Sequence, residues 1–452
     1  MLTSDKLLPG LRPALDVGTV GPLLAAAVIP RHMELRSLKV ERFRYDPGDR
    51  ATVPTIVYDA EFSAGRSGRR QRTWLTATLH AEGKGEALAQ ELSRSANPTR
   101  GIEGLPVAAY VSSLGALIQT FPHDWRLPAL KEYQDGSSPA LRAFLRGHAD
   151  NAGGCAPRVE IFPVRYRPGK QAVLRVSLPE EPATGDRGRK LFYIKLRAAA
   201  ARLETYDPLR SLSGSGRQRR FCIVSPVANL EADHAAVYEA APGTSFAELV
   251  RSKRLIASSA RQIGRGLAAF HSSDASALPR GNGQRLSAKA TGAVRSIEWA
   301  CPAIAPAAKR ILSRLEDLPS PSELWPTHYN MKPEHIFLGS DGVIHLIDTE
   351  SARADDPAID VGCLLAWLDA LEHLAGVPQD DIATARYSLE AGYFEEVCAA
   401  RQDRIEAARA YGGLLVARHS IHHLLPGWEA HMAVALERAW NYLERADRRR
   451  VA

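Results

Sequence analysis

The stretch on which the reading turns is Trp325-Pro-Thr-His328-Tyr-Asn330-Met-Lys-Pro-Glu-His335, followed by Leu346-Ile-Asp348. Val343-Ile-His-Leu-Ile347 has the pattern of a buried strand, so Asp348 stands at the end of a short hairpin that follows the 328–335 loop. Asp356, Pro357 and Asp360 come eight, nine and twelve residues after Asp348. The bland alternative is an ordinary hairpin with polar edges. It does not account for seven positions, His328, Pro333, His335, Asp348, Asp356, Pro357 and Asp360, falling into one ordered frame.

Working outward, the chain before this loop is rich in strands and the chain around it in helices. Val159–Tyr166 and Gln171–Leu178 alternate about the turn Arg167-Pro-Gly-Lys170, and after a loop of Pro, Gly and charge (Pro179–Lys190) Leu191–Leu196 is a compact apolar strand carrying Lys195. The same plan occurs earlier: Arg44–Ala51 matches Arg165–Ala172 at five of eight positions. A Gly/Arg-rich tip follows each copy (Ser63–Arg72 and Ala183–Lys190), and a strand closes each (Trp74–His80 and Leu191–Arg197). A spaced repeat of a whole hairpin plan reads as duplication of a small β-domain. The alternative is a common turn solution reached twice. In the first copy Thr78 stands where Lys195 stands in the second. Residues 85–97 and 139–150 read as helices, Asn151–Pro157 as a linker and Ser211–Gly216 as a flexible loop. From Ser245, which with Glu248 makes a capping box, the pattern is helical: Ala257–His271, then Val361–Ala375, Ile382–Ala400, Ile405–Leu425 and Met432–Ala446.

Bulk properties set the class. The chain has 452 residues, 45% hydrophobic and 24% charged, which is ordinary for a globular protein of two or three domains. A net charge of +7 suits an anionic ligand such as a nucleotide. Five cysteines, none in a CxxC pair, point to neither zinc nor a disulfide framework, and a reducing cytoplasm is the simple expectation. No apolar run reaches the ~20 residues of a membrane span, and the uncharged run 17–30 is short and broken by Gly and Pro, unlike a signal peptide. Basic tracts at 66–72, 217–220 and 448–450 lack interleaved aromatics and read as solvated loops and tail, not as a nucleic-acid surface. His419, His422 and His423 have helical spacing but no accompanying carboxylate or cysteine, so a solvated or core face is expected there rather than a metal site.

The order of these elements over residues 159–370 resembles the aminoglycoside phosphotransferase, or protein kinase-like, family, whose loop runs roughly HGDxxxxN before a hairpin and a second Asp. The resemblance implies an α+β fold of kinase type, with a β-rich N-lobe at 157–243 and a helical C-lobe at 244–452. An extra α+β domain at 1–150, related to the N-lobe if the repeat is a duplication, precedes them. It also implies ATP and Mg²⁺ as cofactors and a small-molecule hydroxyl as acceptor. By this resemblance Lys195 contacts the nucleotide phosphates, with Glu204 as its helix partner, and Val237-Tyr-Glu239-Ala-Ala-Pro-Gly243 is the adenine hinge. His328 orders the loop, Asp348 and His335 hold the metal, and Asp356 with Asp360 brace the loop from below.

Three departures matter. Asn330 occupies the position of the catalytic Asp, and a carboxamide has no basic lone pair at neutral pH. His335 stands where an amide ligand is usual, and imidazole prefers softer ions than Mg²⁺. Tyr329 replaces a small Gly, and Glu334 and Glu350 are carboxylates that could stand in for the lost base. Two readings follow: a slow phosphotransferase, in which Asn330 orients the acceptor, and an impaired pseudokinase that binds nucleotide or a partner protein.

Overall fold

The computed structural model describes residues 8–47, 53–64, 69–80, 83–95, 104–148, 159–179, 189–199, 219–253, 257–281, 284–319, 321, 323–397, 402–424 and 426–451. Glu204, the linker 151–157, the loop 211–216 and parts of the two Gly/Arg-rich tips (65–68 and 183–188) lie outside the described residues. The chain divides into two compact units, Met1–Leu203 with Pro226–Ala240 and His422–Leu424, and Glu204–Ser225 with Ala241–Ile421 and Leu425–Ala452.

The first unit opens with two helices, α1 (Leu11–Leu15) and α2 (Val17–Ala27), then holds an antiparallel sheet of β1 (Met33–Arg44), β2 (Thr55–Ala64), β3 (Arg69–Leu79), β4 (Ala108–Val111) and β5 (Ala116–Thr120) in the order β1-β2-β3-β5-β4. Helix α3 (Lys84–Ser95) connects β3 to β4. After α4 (Leu130–Gln134) and α5 (Pro139–His148) comes a second sheet of β6 (Glu160–Arg167), β7 (Gln171–Pro179), β8 (Arg189–Arg197), β10 (Ala228–Leu230) and β11 (Ala235–Glu239), while β9 (Phe221–Ile223) belongs to the other unit. Its order, β10-β11-β8-β7-β6, is that of the first sheet taken from the opposite edge. In both sheets the last two strands are joined by a 3₁₀ turn closed by a left-handed residue, Gly115 (φ 61°) or His234 (φ 50°).

The repeat extends to register. Arg44, Thr55, Thr78 and Leu117 pair in turn across the first sheet, as Arg165, Val173, Lys195 and Ala236 do across the second. Thr78 therefore holds the place of Lys195, as the sequence comparison expected. The longer β1–β2 loop leaves the pairing unchanged because insertions fall at hairpin tips, where they disturb no ladder.

Helices α4 and α5 cover a face of the second sheet. Leu130, Tyr133, Leu141 and Phe144 share one core with Leu174, Val176, Phe192 and Ile194, and burying each large side chain is worth about 1.5–3 kcal/mol. Two carboxylates tie the helices and turns of this unit to its sheet. Tyr133 Oη donates to Asp233 at 2.8 Å, and Asp124 accepts from Tyr166 Oη at 2.9 Å and from the turn amide of Gly169 at 2.6 Å.

The second unit is mostly helical: α6 (Phe246–Arg251), α7 (Ala257–His271), α8 (Gln284–Ala300), α9 (Ala305–Glu316), α10 (Ala358–Ala375), α11 (Gln379–Phe394), α12 (Gln402–His423) and α13 (Trp428–Val451). As expected, Ser245 caps α6, accepting from the Glu248 amide at 3.2 Å. Helix α10 is buried almost all round, which explains its near-continuous apolar sequence. Helices α7 and α11 approach so closely at Gly264 and Gly392 that a Cβ on either would lie 2.1 Å from a backbone oxygen of the other helix. Among the described residues no helix is long and apolar enough to cross a membrane.

Two small strand systems position the loop. One is a sheet of β12 (Thr244–Ser245), β14 (Ile336–Leu338), β15 (Ile344–Leu346) and β9, and the other a ribbon of β13 (Trp325–Thr327) and β16 (Arg353–Asp355). The ribbon pairs Thr327 with Arg353, which sets the 328–335 loop beside the segment that begins at Asp348.

Candidate active site

The 328–335 loop is built on one buried carboxylate. Asp360, in the first turn of α10 and fully buried, accepts the backbone N–H of His328 at 2.5 Å and of Tyr329 at 2.8 Å through its two oxygens. Tyr329 has φ 67°, a left-handed conformation that a bulky residue adopts only when its surroundings impose it. The Asp360 clamp is one such constraint. Another is the Tyr329 ring, which is buried with Arg353 Cζ at 4.4 Å and Lys289 Nζ at 5.2 Å from its centre, while Lys289 also donates to the Tyr329 carbonyl at 3.2 Å. Asp356 serves the same corner: it accepts from the Ala358 amide at 3.0 Å and from Arg404 at 2.6 Å, so it anchors the start of α10.

The hairpin of β14 and β15 brings Asp348 back to this loop. Ile336 pairs with Leu346, so His335 lies opposite Ile347, whose amide donates to the His335 carbonyl at 3.1 Å. Asp348 follows in the left-handed region (φ 59°), which an aspartate tolerates better than most residues. Its Oδ2 accepts from Asn330 Nδ2 at 3.1 Å. An ionised carboxylate only accepts, so the amide of Asn330 must present its nitrogen to Asp348, leaving its oxygen as the face for any other partner.

The two histidines are fixed by carbonyl groups. His328 is fully buried and its Nε2 donates to the Ile347 carbonyl at 2.8 Å, tying the loop to the strand before Asp348. His328 Nδ1 is buried with no partner among the described residues. His335 Nδ1 donates to the Asn330 carbonyl at 2.9 Å, and its Nε2 stands 3.7 Å from Asp348 Oδ2. Burial pushes the His335 pKa down to about 3, against the opposing pull of Asp348, so the ring is neutral at physiological pH. The His328 and His335 rings lie 5.6 Å apart and nearly parallel.

Sequence reasoning thus named residues that the fold brings together in one unit: His328, Asn330, His335, Asp348 and Asp360, with Asp356 beside them. Lys195 and Glu239 lie in the other unit. Lys195 is buried on β8, between Val173 and Ala236, and Glu239, at the end of β11, is exposed with Lys190 at 3.8 Å. Of the two spare carboxylates, Glu334 lies 3.7 Å from Arg251, and Glu350 sits in the 3₁₀ turn that follows Asp348. His419 packs edge-on against Trp367, and among the described residues no cluster of three metal-binding side chains forms.

Other residues at this site carried no signal in the sequence. His271, fully buried at the end of α7, contacts Asp360 through Nε2 at 3.3 Å and Tyr393 Oη through Nδ1 at 2.9 Å. Lys332, inside the loop, places its ammonium 4.1 Å from the Trp367 ring centre.

Residues 196–396 match the model of the phosphotransferase enzyme family. That segment is similar to this family. It begins one residue after Lys195 and contains the whole loop, Asp348 and the Asp356–Asp360 brace. No curated protein matches the chain. Among solved structures, a choline/ethanolamine kinase family protein from Mesorhizobium loti is similar, with 15% identity, TM-score 0.45 and coverage of 70% of this chain and 96% of its own. A choline kinase from Cryptosporidium parvum has 10% identity, TM-score 0.48 and coverage of 68% and 95%. A spectinomycin phosphotransferase, solved with ADP and spectinomycin, has 13% identity, TM-score 0.43 and coverage of 67% and 97%.

Proposed function

We propose that the protein transfers the γ-phosphate of ATP to a hydroxyl of a small molecule, and does so slowly. The observation that carries this is the intact mounting of the loop: Asp360 clamps His328 and Tyr329 while Asn330 and His335 converge on Asp348. A loop released from catalytic use has no need to hold Tyr329 in a strained conformation.

In this reading Lys195 binds phosphate oxygens, and backbone groups of the strand ending at Glu239 grip adenine. The Asn330 side-chain oxygen accepts a hydrogen bond from the acceptor hydroxyl and orients it, but does not take its proton. The proton leaves late, to solvent or to a phosphate oxygen, as a loose transition state permits. Loss of the general base costs about 10²–10⁴-fold, or roughly 3–5 kcal/mol of barrier, which leaves positioning and electrostatic stabilisation in place. Asp348 and His335 would hold a divalent ion, whose charge neutralises the phosphate. The carboxylate suits Mg²⁺, whereas the imidazole nitrogen is a poor match for an ion that takes oxygen donors.

A second reading, a nucleotide-binding pseudokinase, is favoured by Asn330 alone. Calorimetric titration of ATP addresses both. Wild-type protein should bind ATP, and Lys195→Ala should weaken binding by about tenfold or more, the loss of a charge-assisted phosphate contact. Absence of ATP binding to the wild-type protein would remove both readings.

A further inference from the structure

The His335–Asp348 pair has a geometry that a hydrogen bond does not explain. The partner of His335 Nδ1 is a carbonyl oxygen at 2.9 Å, and a carbonyl only accepts, so Nδ1 carries the proton. The other ring nitrogen, Nε2, stands 3.7 Å from the Asp348 carboxylate oxygen, too far for a hydrogen bond. Asn330 Nδ2 holds the same carboxylate oxygen from the side at 3.1 Å.

We propose that His335 and Asp348 form a nitrogen–oxygen chelate that selects a transition-metal ion of the Mn²⁺ to Co²⁺ kind over Mg²⁺. Two donors about 2.1 Å from one ion stand about 3.0–3.5 Å apart at octahedral to tetrahedral angles, so this pair closes on an ion with a shift of a few tenths of an ångström. Mg²⁺ requires near-ideal octahedral oxygen ligation and gives up water reluctantly, whereas imidazole suits the first-row transition ions. The Nδ1–H to carbonyl bond fixes the tautomer and aims Nε2, and the Asn330 amide orients the carboxylate. Both are supports of the kind that set the affinity of metal sites. Among the described residues no third metal-binding side chain completes a cluster, so two protein donors leave the other positions to phosphate oxygens and water. The inference rests on the reading of this loop as a nucleotide-phosphate site, since that supplies those remaining ligands.

The test is electron paramagnetic resonance of Mn²⁺ bound to the full chain, with Mg²⁺ as competitor. The expected result is one bound Mn²⁺ that survives a tenfold excess of Mg²⁺ and shows nitrogen coupling from an imidazole. His335→Asn should abolish that coupling and reduce Mn²⁺ affinity about tenfold or more, and His335→Gln serves if that variant does not fold. Displacement of Mn²⁺ by an equal concentration of Mg²⁺, absence of nitrogen coupling, or equal binding by Asp348→Ala would overturn the proposal. A separate titration of ATP with a saturating divalent ion, Mg²⁺ in one series and Mn²⁺ in another, keeps the two ideas apart. ATP binding without Mn²⁺ selectivity removes this inference alone, and Mn²⁺ selectivity without ATP binding removes the phosphotransferase reading alone.

Discussion

Asp360→Ala is expected to cost the protein about 3–5 kcal/mol of stability, the largest loss of any polar substitution around the loop. The carboxylate is fully buried, accepts two backbone amides and touches His271 Nε2, so its removal strands three buried groups at once. Each unsatisfied buried donor costs about 1–3 kcal/mol, and the sum is less than additive because the loop can shift toward water. Tyr329 also loses one of the constraints that hold it at φ 67°. Asp360→Asn should be milder, since the amide oxygen still accepts one of the two N–H groups while its NH₂ faces the other. Urea unfolding of both variants measures this. A loss below about 1 kcal/mol for the alanine variant would mean that the clamp does not hold the loop.

The second large effect concerns Asn330→Asp, and its two consequences have opposite signs. Asn330 donates to Asp348 at 3.1 Å, so an aspartate there sets two carboxylates within contact distance and removes the hydrogen bond between them. Like charges that close cannot both ionise easily, so one of the pair titrates with a raised pKa in the folded state. A raised carboxyl pKa is destabilising where the unfolded chain is already ionised, so without metal the variant should lose stability as pH rises through the carboxylate range. A divalent ion between the two carboxylates should restore it. With ATP and that ion present, the same change supplies a general base, and turnover should rise by about 10²–10⁴-fold. Melting temperatures with and without metal, together with turnover, separate these effects. A variant as stable as wild type at neutral pH without metal would show that Asn330 does not contact Asp348 as described.

Much of the site could be read in advance because its parts are near one another in the chain. His328, Asn330, His335 and Asp348 lie within one loop and one hairpin, and strand pairing of Ile336 with Leu346 is a local event that spacing reveals. The brace was accessible for the same reason, as Asp360 lies in the first turn of a helix that starts at a fixed distance from Asp348. His271 and Tyr393 were not accessible. His271 lies 89 residues before Asp360 and 122 residues before Tyr393, and only the packing of α7 against α11 joins the histidine to the tyrosine. A buried histidine at the end of a helix looks like any other in sequence.

In the first unit the repeated Arg-Tyr-x-Pro-Gly turn disclosed the duplicated plan, and the paired registers carry it from the turn to the far edge of each sheet. Strand β1 escaped notice for a physical reason. It is an edge strand with two register shifts, and of its twelve residues only Met33 and Phe43 are buried, so charge masks the alternation that marks a strand.

On the proposed function, the loop from His328 to Asp348 performs phosphoryl transfer without a general base. The direct measurement is the rate of ATP consumption by the wild-type protein and by Asp348→Ala, with Mn²⁺ and with Mg²⁺. A slow rate in the wild-type protein that vanishes in Asp348→Ala is the predicted result, whereas equal rates in the two proteins would contradict it.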